Sequence, residues 1–321
     1  MKALVAQELT GPAGLVYTDV EDPAPSDDAV IVDVGASGVC FPDLLLTRGE
    51  YQLRLEAPFT PGLEVAGTVR SAPADSGFTV GQRVSGFTMI GGYAEQVAVA
   101  PDSLQPVPDG IDDATAVCLL GNYTTMFFAL TRRGALQAGE TVLVLGSGGG
   151  IGVASIQLAK ALGAKVVAMV HRPDAMDFVA GLGADVVLPL TDGWRQAVLD
   201  ATGGRGVDMV VDPVGGDAFD DAVRVLAPEG RLLVIGFAAG GIPTVKVNRL
   251  LLRNISVVGV GWGEFARVTP GAGAEMAAGL AKLVEDGLRP PAPVRYPLSE
   301  GAAALQALAD GKIHGKLVLE P

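Results

Sequence analysis

The stretch Thr141-Val-Leu-Val-Leu-Gly-Ser-Gly-Gly-Gly-Ile-Gly152 decides the fold of this chain. A run of apolar residues typical of a buried strand leads directly into a cluster of glycines. Glycines allow a sharp turn and a close approach of the backbone to a pyrophosphate, and a following helix adds free N–H groups. The motif here is Ser147-x-Gly149-x-x-Gly152, with serine at the position where the dinucleotide-binding fingerprint has its first glycine.

The residues around this turn complete a strand–turn–helix–strand unit. Apolar residues recur at helical spacing over residues 151–162, Gly163 is a helix stop, and residues 165–170 resemble a buried parallel strand. A dinucleotide site is therefore predicted, with these cofactor-binding candidates in the turn: Ser147, Gly148, Gly149, Gly150, Ile151 and Gly152. The alternative is a glycine-rich turn that binds nothing, although so many glycines serve little packing purpose.

The end of the second strand indicates which nucleotide binds. NAD-binding units place an acidic residue about 20 residues past the glycines, where it binds the ribose 2′-hydroxyl. Here His171 and Arg172 hold those positions, and the nearest carboxylate is Asp174. Because a guanidinium binds phosphate in a bidentate, charge-assisted manner, NADPH is favoured over NADH. A solvated arginine at a strand end is the alternative.

Composition excludes several classes of protein. The 321 residues suffice for two domains, and the 49% hydrophobic and 18% charged fractions predict large cores rather than disorder. The two cysteines, Cys40 and Cys118, exclude a disulfide framework and a four-cysteine zinc lobe. A net charge of −13 argues against a nucleic-acid partner.

The same composition predicts a cytoplasmic protein without a membrane partner. Glu8 and Asp19 interrupt any apolar N-terminal run, so no signal peptide is expected. Residues 114–131 and 141–159 are uncharged or nearly so, but polar residues in the first and the glycine turn in the second interrupt them. Neither is predicted to span a bilayer, which takes about 20 apolar residues.

The pattern of elements changes along the chain. Residues 1–110 are predicted to be all-β, whereas strand–helix alternation begins at residue 140 and indicates a doubly wound parallel sheet. Helices, an extended segment and a final strand follow residue 262. The six parallel strands are predicted at residues 141–145, 165–170, 185–188, 207–211, 231–236 and 255–260.

Several segments recur in order in one known family. They are residues 38–51 (GVCFPDLLLTRGEY), 61–67 (PGLEVAG), 121–125 (GNYTT), 144–152, 211–216 (VDPVGG), 234–237, 248–254, 258–263 and 314–319 (HGKLVL). On these segments nearly the whole chain resembles the zinc-independent medium-chain dehydrogenase/reductase family, in its NADPH:quinone oxidoreductase-like branch. The resemblance implies an α/β fold with a GroES-like β-rich catalytic domain, residues 1–118 and 264–321, and a Rossmann NADP-binding domain, residues 119–263.

The residues argue against a catalytic zinc. Zinc alcohol dehydrogenases of the wider family use a cysteine, a histidine and a second cysteine, and the matching positions here hold Cys40, Leu63 and Asn122. Leucine cannot coordinate a metal, and a catalytic zinc needs three protein ligands. The chemistry expected is therefore metal-free hydride transfer to a quinone or an α,β-unsaturated carbonyl.

The resemblance implies three catalytic candidates. Tyr51 matches a tyrosine near the substrate pocket, where it would donate a hydrogen bond or a proton; the alternative is an aromatic packing anchor. Cys40 replaces an asparagine that faces the nicotinamide, or it is a small buried hydrophobe. Thr125 matches a threonine beside the nicotinamide, or its hydroxyl bonds back to the main chain.

The resemblance also implies contacts to the nicotinamide half of the cofactor. Besides Cys40 and Thr125 these are Asn122, Val214, Gly236, Phe237, Ala238, Val260, Trp262 and Lys316. Trp262 is alternatively a domain-interface aromatic, and Lys316 a solvated strand lysine. Ala175 and Leu190 replace the usual lysine and tyrosine of the 2′-phosphate site, which leaves Arg172 and His171 to hold it.

Three functions remain open. The first is an NADPH-dependent reductase of quinones or enones, whose physiological acceptor the sequence does not identify. The second is an enoyl-CoA reductase of the acryloyl-CoA type, which would need a basic entrance patch that is not evident. The third is a nucleotide-binding protein without turnover. Residues 250–260 resemble an apolar edge strand, and in the family such edges join two copies, so a homodimer is expected.

Overall fold

The computed structural model describes all residues, Met1–Pro321. The chain forms two compact units: the first unit is Met1–Gly121 with Ala292–Pro321, and the second unit is Asn122–Pro291. Residues 264–291, predicted to join the β-rich domain, fall in the second unit. The reason is packing, because Trp262 and Phe265 lie against Phe128 of that unit, with ring centroids at 5.3 and 4.9 Å.

The second unit is built on a six-stranded sheet in which every neighbouring pair is parallel. Its strands are β8 Thr141–Val144, β9 Lys165–Val170, β10 Val186–Pro189, β11 Val207–Asp212, β12 Leu226–Val234 and β13 Ser256–Gly259. Their order in the sheet is β10-β9-β8-β11-β12-β13. The predicted doubly wound sheet, with its six strands, is confirmed.

Helices connect the strands of the second unit. Leu143, Met169, Val210 and Leu232 are fully buried in the sheet, as expected for parallel strands. The helices are α3 Gly121–Phe128, α4 Gly150–Ala161, α5 Met176–Gly181, α6 Trp194–Ala201, α7 Ala218–Arg224, α8 Val247–Arg253, α9 Trp262–Val268 and α10 Ala272–Glu285, and a π-helical turn Ala129–Arg133 continues α3.

The predicted edge strand over residues 250–260 is wrong in its first half. Leu250 belongs to α8, which ends where Asn254 adopts a left-handed conformation with φ of 53°. Asparagine tolerates this conformation and caps helices in this way. Only β13 is extended, and it does form an edge of the sheet.

The first unit holds mostly antiparallel strands. Strands β1 Lys2–Ala6 and β2 Leu15–Asp19 pair with each other. A seven-stranded sheet has the order β14-β15-β3-β4-β5-β7, with β6 pairing with β3. The bounds of its strands are β3 Val30–Val39, β4 Glu64–Ser71, β5 Arg83–Phe87, β6 Gln96–Val99, β7 Leu104–Pro106, β14 Val294–Pro297 and β15 Leu317–Glu320.

Helices α1 Phe41–Thr47, α2 Asp113–Cys118 and α11 Gly301–Ala309 complete the first unit. Helix α1 corrects the prediction that residues 1–110 are all-β. Its start is specified locally, because Asp43 accepts a hydrogen bond from the Cys40 amide in a capping box. Cys40, as the N-cap residue, and Asp43, as the third helical residue, therefore lie together at the N-terminus of α1.

One helical stretch passes a length and composition test for a membrane span. Asp113–Arg133 comprises 21 residues, and its most apolar 18-residue stretch has a mean hydropathy of 1.3. Of that stretch, 67% is buried inside the protein. A mostly buried core helix passes the same test, so one such stretch is weak evidence for a span.

Candidate functional site

The glycine turn follows β8 and ends at the N-terminus of α4. Gly146 has a φ of +60°, and Gly149 is the N-cap residue of α4, which begins without a side-chain cap. A Cβ added at Gly152 would lie 2.4 Å from the Gly146 carbonyl oxygen. Glycine is therefore required there for the helix to approach the turn. The uncapped amides and the helix dipole make this end of α4 suitable for an anionic group.

Ser147 acts inside this turn. Its buried hydroxyl donates to the Val144 carbonyl at 2.8 Å, and its amide donates to the Met169 carbonyl at 3.1 Å. The serine side chain thus ties the turn to the end of its own strand, β8, while its amide ties it to β9. Serine at the first glycine position stabilises the turn without projecting its side chain outwards.

Helix α3 packs beside the turn. A Cβ built at Gly150 would meet Asn122 Nδ2 at 2.2 Å, so the Asn122 amide lies directly against the start of α4. The Tyr123 hydroxyl donates to Gln157 of α4. Thr125 lies one turn further along α3 and is half-buried. Of the two predicted α3 contacts, Asn122 is placed at the glycine turn.

The end of β9 carries the predicted phosphate-binding pair. His171 is exposed, and the Arg172 guanidinium contacts Asp174 through two bonds, Nε–Oδ1 at 3.1 Å and Nη2–Oδ2 at 2.5 Å. Hydrogen bonding to Asp174 raises the pKa of Arg172. Ala175 is buried, and Leu190 packs on the core of the second unit. Neither of these two positions supplies a polar group for a phosphate.

The carboxyl ends of β11, β12 and β13 lie side by side at one end of the parallel sheet. A Cβ at Gly146 would lie 3.1 Å from Val214, which places Val214 beside the glycine turn. The amides of Ala238 and Ala239 donate to the carbonyls of Pro213 and Val214 at 3.1 and 3.0 Å, and the Val260 amide donates to Val234. The structure thus brings together these predicted contacts: Val214, Gly236, Phe237, Ala238 and Val260.

Asp212 shapes the same edge. Its Oδ1 accepts from the Val214 and Gly215 amides at 2.9 and 2.8 Å, while Oδ2 is buried without a partner. Burial raises the pKa of Asp212, and the two amide bonds oppose that shift. This carboxyl therefore fixes the turn that presents Val214.

Trp262 takes part in an aromatic cluster. Its ring lies 5.3 Å from Phe128 and 6.4 Å from Phe265, and the residue is buried. Arg132 stacks over Phe265 at 4.8 Å. The ring contacts of Trp262 are therefore with residues of its own unit.

In the first unit, Cys40, Glu64 and Lys316 form a buried polar cluster. The Lys316 ammonium donates to Glu64 Oε2 at 2.6 Å and to Cys40 Sγ at 3.0 Å. Glu64 Oε1 accepts from the Gly121 amide at 2.9 Å. Only 3% of the Glu64 side chain and 8% of that of Lys316 are exposed. Lys316 is therefore committed to this cluster and is not a solvated strand lysine.

Burial and pairing set the charges of the cluster. Burial alone would lower the pKa of Lys316, but the neighbouring Cys40 and Glu64 raise it above its ordinary value. Burial raises the pKa of the Cys40 thiol, the Glu64 charge adds to this, and Lys316 opposes it. The favoured state is thus a charged Lys316 ammonium, bonded to Glu64, beside a protonated Cys40 thiol.

Asp43 supports the cluster through the backbone. Its Oδ2 accepts from the Cys40 amide at 2.9 Å and its Oδ1 from the Gly62 amide at 3.1 Å. Burial raises the pKa of this carboxyl to about 7, although the Cys40 bond opposes the shift. The Tyr93 hydroxyl lies close by but outside hydrogen-bond geometry.

Tyr51 lies in the same region of the first unit. It is half-buried and packs against the core cluster that contains Leu44 and Leu46. Burial raises the pKa of its phenol, and Cys40 and Asp43 would add to this in their ionised forms. Tyr51 thus packs on the core that also contains Val39, the residue before Cys40 in the chain.

Sequence reasoning missed Glu64 and Asp43. A signal existed for Asp43, since an N-cap residue followed at the third helical position by an acid is the spacing of a capping box. Glu64 lay within a recognised segment, but its partner Lys316 lies 252 residues away, and only the sheet pairs them.

No metal-binding group is found among the residues of the chain. Leu63 packs against the apolar core of the first unit, and no three His, Cys, Asp or Glu residues are placed to share an ion. Cys40 Sγ is bonded by an ammonium instead. The side chains at the three positions that match zinc ligands in the wider family, Cys40, Leu63 and Asn122, do not fit a zinc ion.

Comparisons with known proteins cover the whole chain. A family model described as "Zinc-binding dehydrogenase" matches residues 150–278, and one described as "Alcohol dehydrogenase GroES-like domain" matches residues 26–109. The Bos taurus protein named "Quinone oxidoreductase-like protein 2" is 34% identical over 322 residues, which cover 99% of this chain and 92% of the relative.

Solved structures also match over the whole chain. A crystal structure described as "a probable oxidoreductase from Mycobacterium abscessus" is 61% identical with a TM-score of 0.94, over 100% of this chain and 99% of that one. The quinone oxidoreductase of Thermus thermophilus, described also in complex with NADPH, is 32% identical with a TM-score of 0.86 over the full length of both.

Proposed function

The chain belongs to the medium-chain dehydrogenase/reductase family, in its quinone oxidoreductase-like branch, and we propose that it is a metal-independent, NADPH-dependent reductase of quinones or α,β-unsaturated carbonyls. The observation that carries the proposal is the uncapped N-terminus of α4 behind a turn in which Gly152 leaves no room for a side chain. Such a turn suits a dinucleotide pyrophosphate.

The second unit would hold the nucleotide. Amides of the segment Ser147–Gly152 would bind the pyrophosphate, and Arg172 with His171 would bind the 2′-phosphate. Asn122 and Thr125 on α3 and the strand-end residues Val214, Gly236–Ala238 and Val260 would contact the nicotinamide half. Replacing Arg172 with alanine should remove the preference for NADPH over NADH. Unchanged affinity for both nucleotides in Arg172→Ala would contradict this assignment.

The residues of the first unit would serve the acceptor. Bound NADPH supplies a hydride from its nicotinamide ring. Tyr51 remains a neutral phenol because burial raises its pKa, so it can donate a hydrogen bond to a carbonyl oxygen that gains negative charge. The protonated Cys40 thiol, fixed by Lys316, would be a second polar group of the pocket. Positioning, rather than covalent catalysis, would then supply the rate enhancement.

Self-association is part of the proposal. Strand β13 is an edge of the parallel sheet, and the preceding α8 exposes Val247, Leu251 and Leu252 to more than 70%. An unpaired edge next to an exposed apolar patch favours pairing with a second copy. A homodimer is expected in light scattering at micromolar protein, and a monomeric mass would contradict it.

One assay tests the reaction class. Purified protein is mixed with NADPH and, in turn, with benzoquinone, phenanthrenequinone, an enone and crotonyl-CoA, and the loss of NADPH absorbance is followed. Turnover of the quinones or the enone supports the proposal. Turnover of crotonyl-CoA alone would favour the enoyl-CoA reductase, and NADPH binding without oxidation by any acceptor would favour a non-catalytic protein.

A further inference from the structure

The side chain of Arg172 is held by a carboxylate of the same turn. After β9 the chain enters the short helical turn Pro173–Ala175, which folds Asp174 back onto the guanidinium. The two bonds, at 3.1 and 2.5 Å, run from Nε and Nη2 to the two carboxylate oxygens. This is the fork-to-fork arrangement that arginine makes with carboxylates and phosphates alike.

A 2′-phosphate could bind the guanidinium in a fork at its Nε–Nη2 edge or at its Nη1–Nη2 edge. Asp174 occupies the first of these edges, engages Nη2 of the second, and adds a negative charge beside an anion. Neither nearby position compensates, because Ala175 is buried and Leu190 packs in the core. The Arg172–Asp174 pair therefore sets how strongly a 2′-phosphate is held.

We propose that Asp174 is a specificity-determining residue that restrains Arg172, weakens binding of the 2′-phosphate of NADPH and so narrows the difference in affinity between NADPH and NADH. The inference rests on the proposed function of the second unit. It concerns a residue of the turn after β9 rather than of the glycine turn, so it adds a separate element to that site.

The size of the effect follows from exposure. The Asp174 side chain is 61% exposed and that of Arg172 is 32% exposed, so solvent and salt screen the pair. Releasing Arg172 should therefore change NADPH affinity by about three- to tenfold rather than by orders of magnitude. The change should shrink as ionic strength rises.

The experiment is a double-mutant cycle on the full-length protein. Dissociation constants for NADPH and for NADH are measured by calorimetry for the wild type, Asp174→Asn, Arg172→Ala and the double variant. Asp174→Asn should bind NADPH about three- to tenfold more tightly, with NADH affinity within about twofold of the wild type. In the Arg172→Ala background the same substitution should have a clearly smaller effect, because the contact is already gone and only the repulsion between Asp174 and the phosphate is left to remove.

Asp177→Asn is the matched control. Asp177 is an exposed acid at the start of α5, so its substitution removes the same charge from the same region. If Asp177→Asn strengthened NADPH binding as much as Asp174→Asn, a general charge effect would replace the proposed contact. Unchanged NADPH affinity in Asp174→Asn would also overturn the inference. A wild type that binds neither nucleotide would instead contradict the proposed function, and the role of Asp174 with it.

Discussion

The glycine turn of the second unit and the Cys40–Glu64–Lys316 cluster of the first unit present polar groups in opposite ways. The turn offers backbone amides at an uncapped helix end and leaves no room for a side chain at Gly152, where a Cβ would lie 2.4 Å from the Gly146 carbonyl oxygen. The cluster depends on charged side chains, and it pairs them with one another inside the protein.

This difference shows where each region is vulnerable. In the turn, an atom added at Gly152 would collide with the backbone carbonyl of Gly146. In the cluster, removing one charged partner leaves the other charge buried and unpaired. The resulting loss in the free energy of unfolding is larger than the net contribution of the intact pair. Steric changes should therefore disrupt the turn, and changes of charge should disrupt the cluster.

The largest effect is expected for Lys316→Met. The substitution leaves the Glu64 carboxylate buried beside the Cys40 thiol without its cation. Removing one partner of a buried pair typically costs about 3–5 kcal/mol. We expect that loss in the free energy of unfolding, measured by urea denaturation.

Two variants show whether charge is the cause. Lys316→Met combined with Glu64→Gln removes both charges and keeps an acceptor for the Gly121 amide, so it should be more stable than Lys316→Met alone. Lys312→Met breaks an exposed pair with Asp310 and should cost at most about 1 kcal/mol. Equal losses in Lys316→Met and the double variant would show that packing, not the unpaired charge, dominates.

Asp43 should make stability depend on pH. Its folded-state pKa is raised from 3.8 to about 7, so the folded protein binds this proton more tightly than the unfolded chain does. The contribution is complete below about pH 4 and is lost as the pH rises through about 7. A shift of about three units corresponds to about 4 kcal/mol.

The measurement compares the wild type with Asp43→Asn. The free energy of unfolding of the wild type, minus that of Asp43→Asn, should fall by up to about 4 kcal/mol between about pH 4 and pH 8. Asp112→Asn is the control, since Asp112 also binds a helix N-terminal amide but has a pKa of about 2. A difference that stays constant over this range would contradict the buried titration of Asp43.

The turn is tested by Gly152→Ala. The added methyl group would collide with the Gly146 carbonyl and displace the turn from α4. We expect NADPH affinity to fall by about 3 kcal/mol, roughly 100-fold, in a fluorescence titration. Gly181→Ala is the control, because a Cβ there meets nothing within 4 Å. An affinity close to that of the wild type would show that the turn tolerates a side chain.

The sequence predicted the turn well because its information is local. The strand, the glycines and the helix lie within one βαβ unit, and all three signals predict the same local motif. The cluster draws on residues at positions 40, 64 and 316, which only the pairing of β15 with β3 and of β3 with β4 brings together. Cys40 and Lys316 were singled out by resemblance, but their direct contact was not predicted.

Element boundaries failed where local and tertiary signals compete. The branched residues after Leu250 indicated a strand, yet the helix α8 extends to Arg253 and a left-handed Asn254 ends it. Residues 264–291 were placed by family resemblance, whereas their aromatic contacts to Phe128 tie them to the parallel-sheet unit. The first error missed a local helix end, and the second missed packing against a distant residue, which composition does not encode.

The smallest effect separates the two interpretations of Tyr51. If the phenol donates to the acceptor carbonyl, Tyr51→Phe should lower kcat about tenfold and leave the KM for NADPH unchanged, because the hydrogen bond strengthens only as the oxygen gains charge. If Tyr51 is a packing anchor, phenylalanine keeps the same ring and kcat should not change. Steady-state kinetics with benzoquinone decides between them.

Tyr17→Phe serves as the control for that measurement. Tyr17 lies on β2, is 40% exposed and has a contact with Lys2 on its ring face, which phenylalanine retains. Its substitution should leave kcat unchanged. A loss confined to Tyr51→Phe would mean that the first unit contributes one uncharged donor to the acceptor while its charged side chains remain paired. The two regions would then be alike in one respect, since both would bind ligand through neutral N–H or O–H groups.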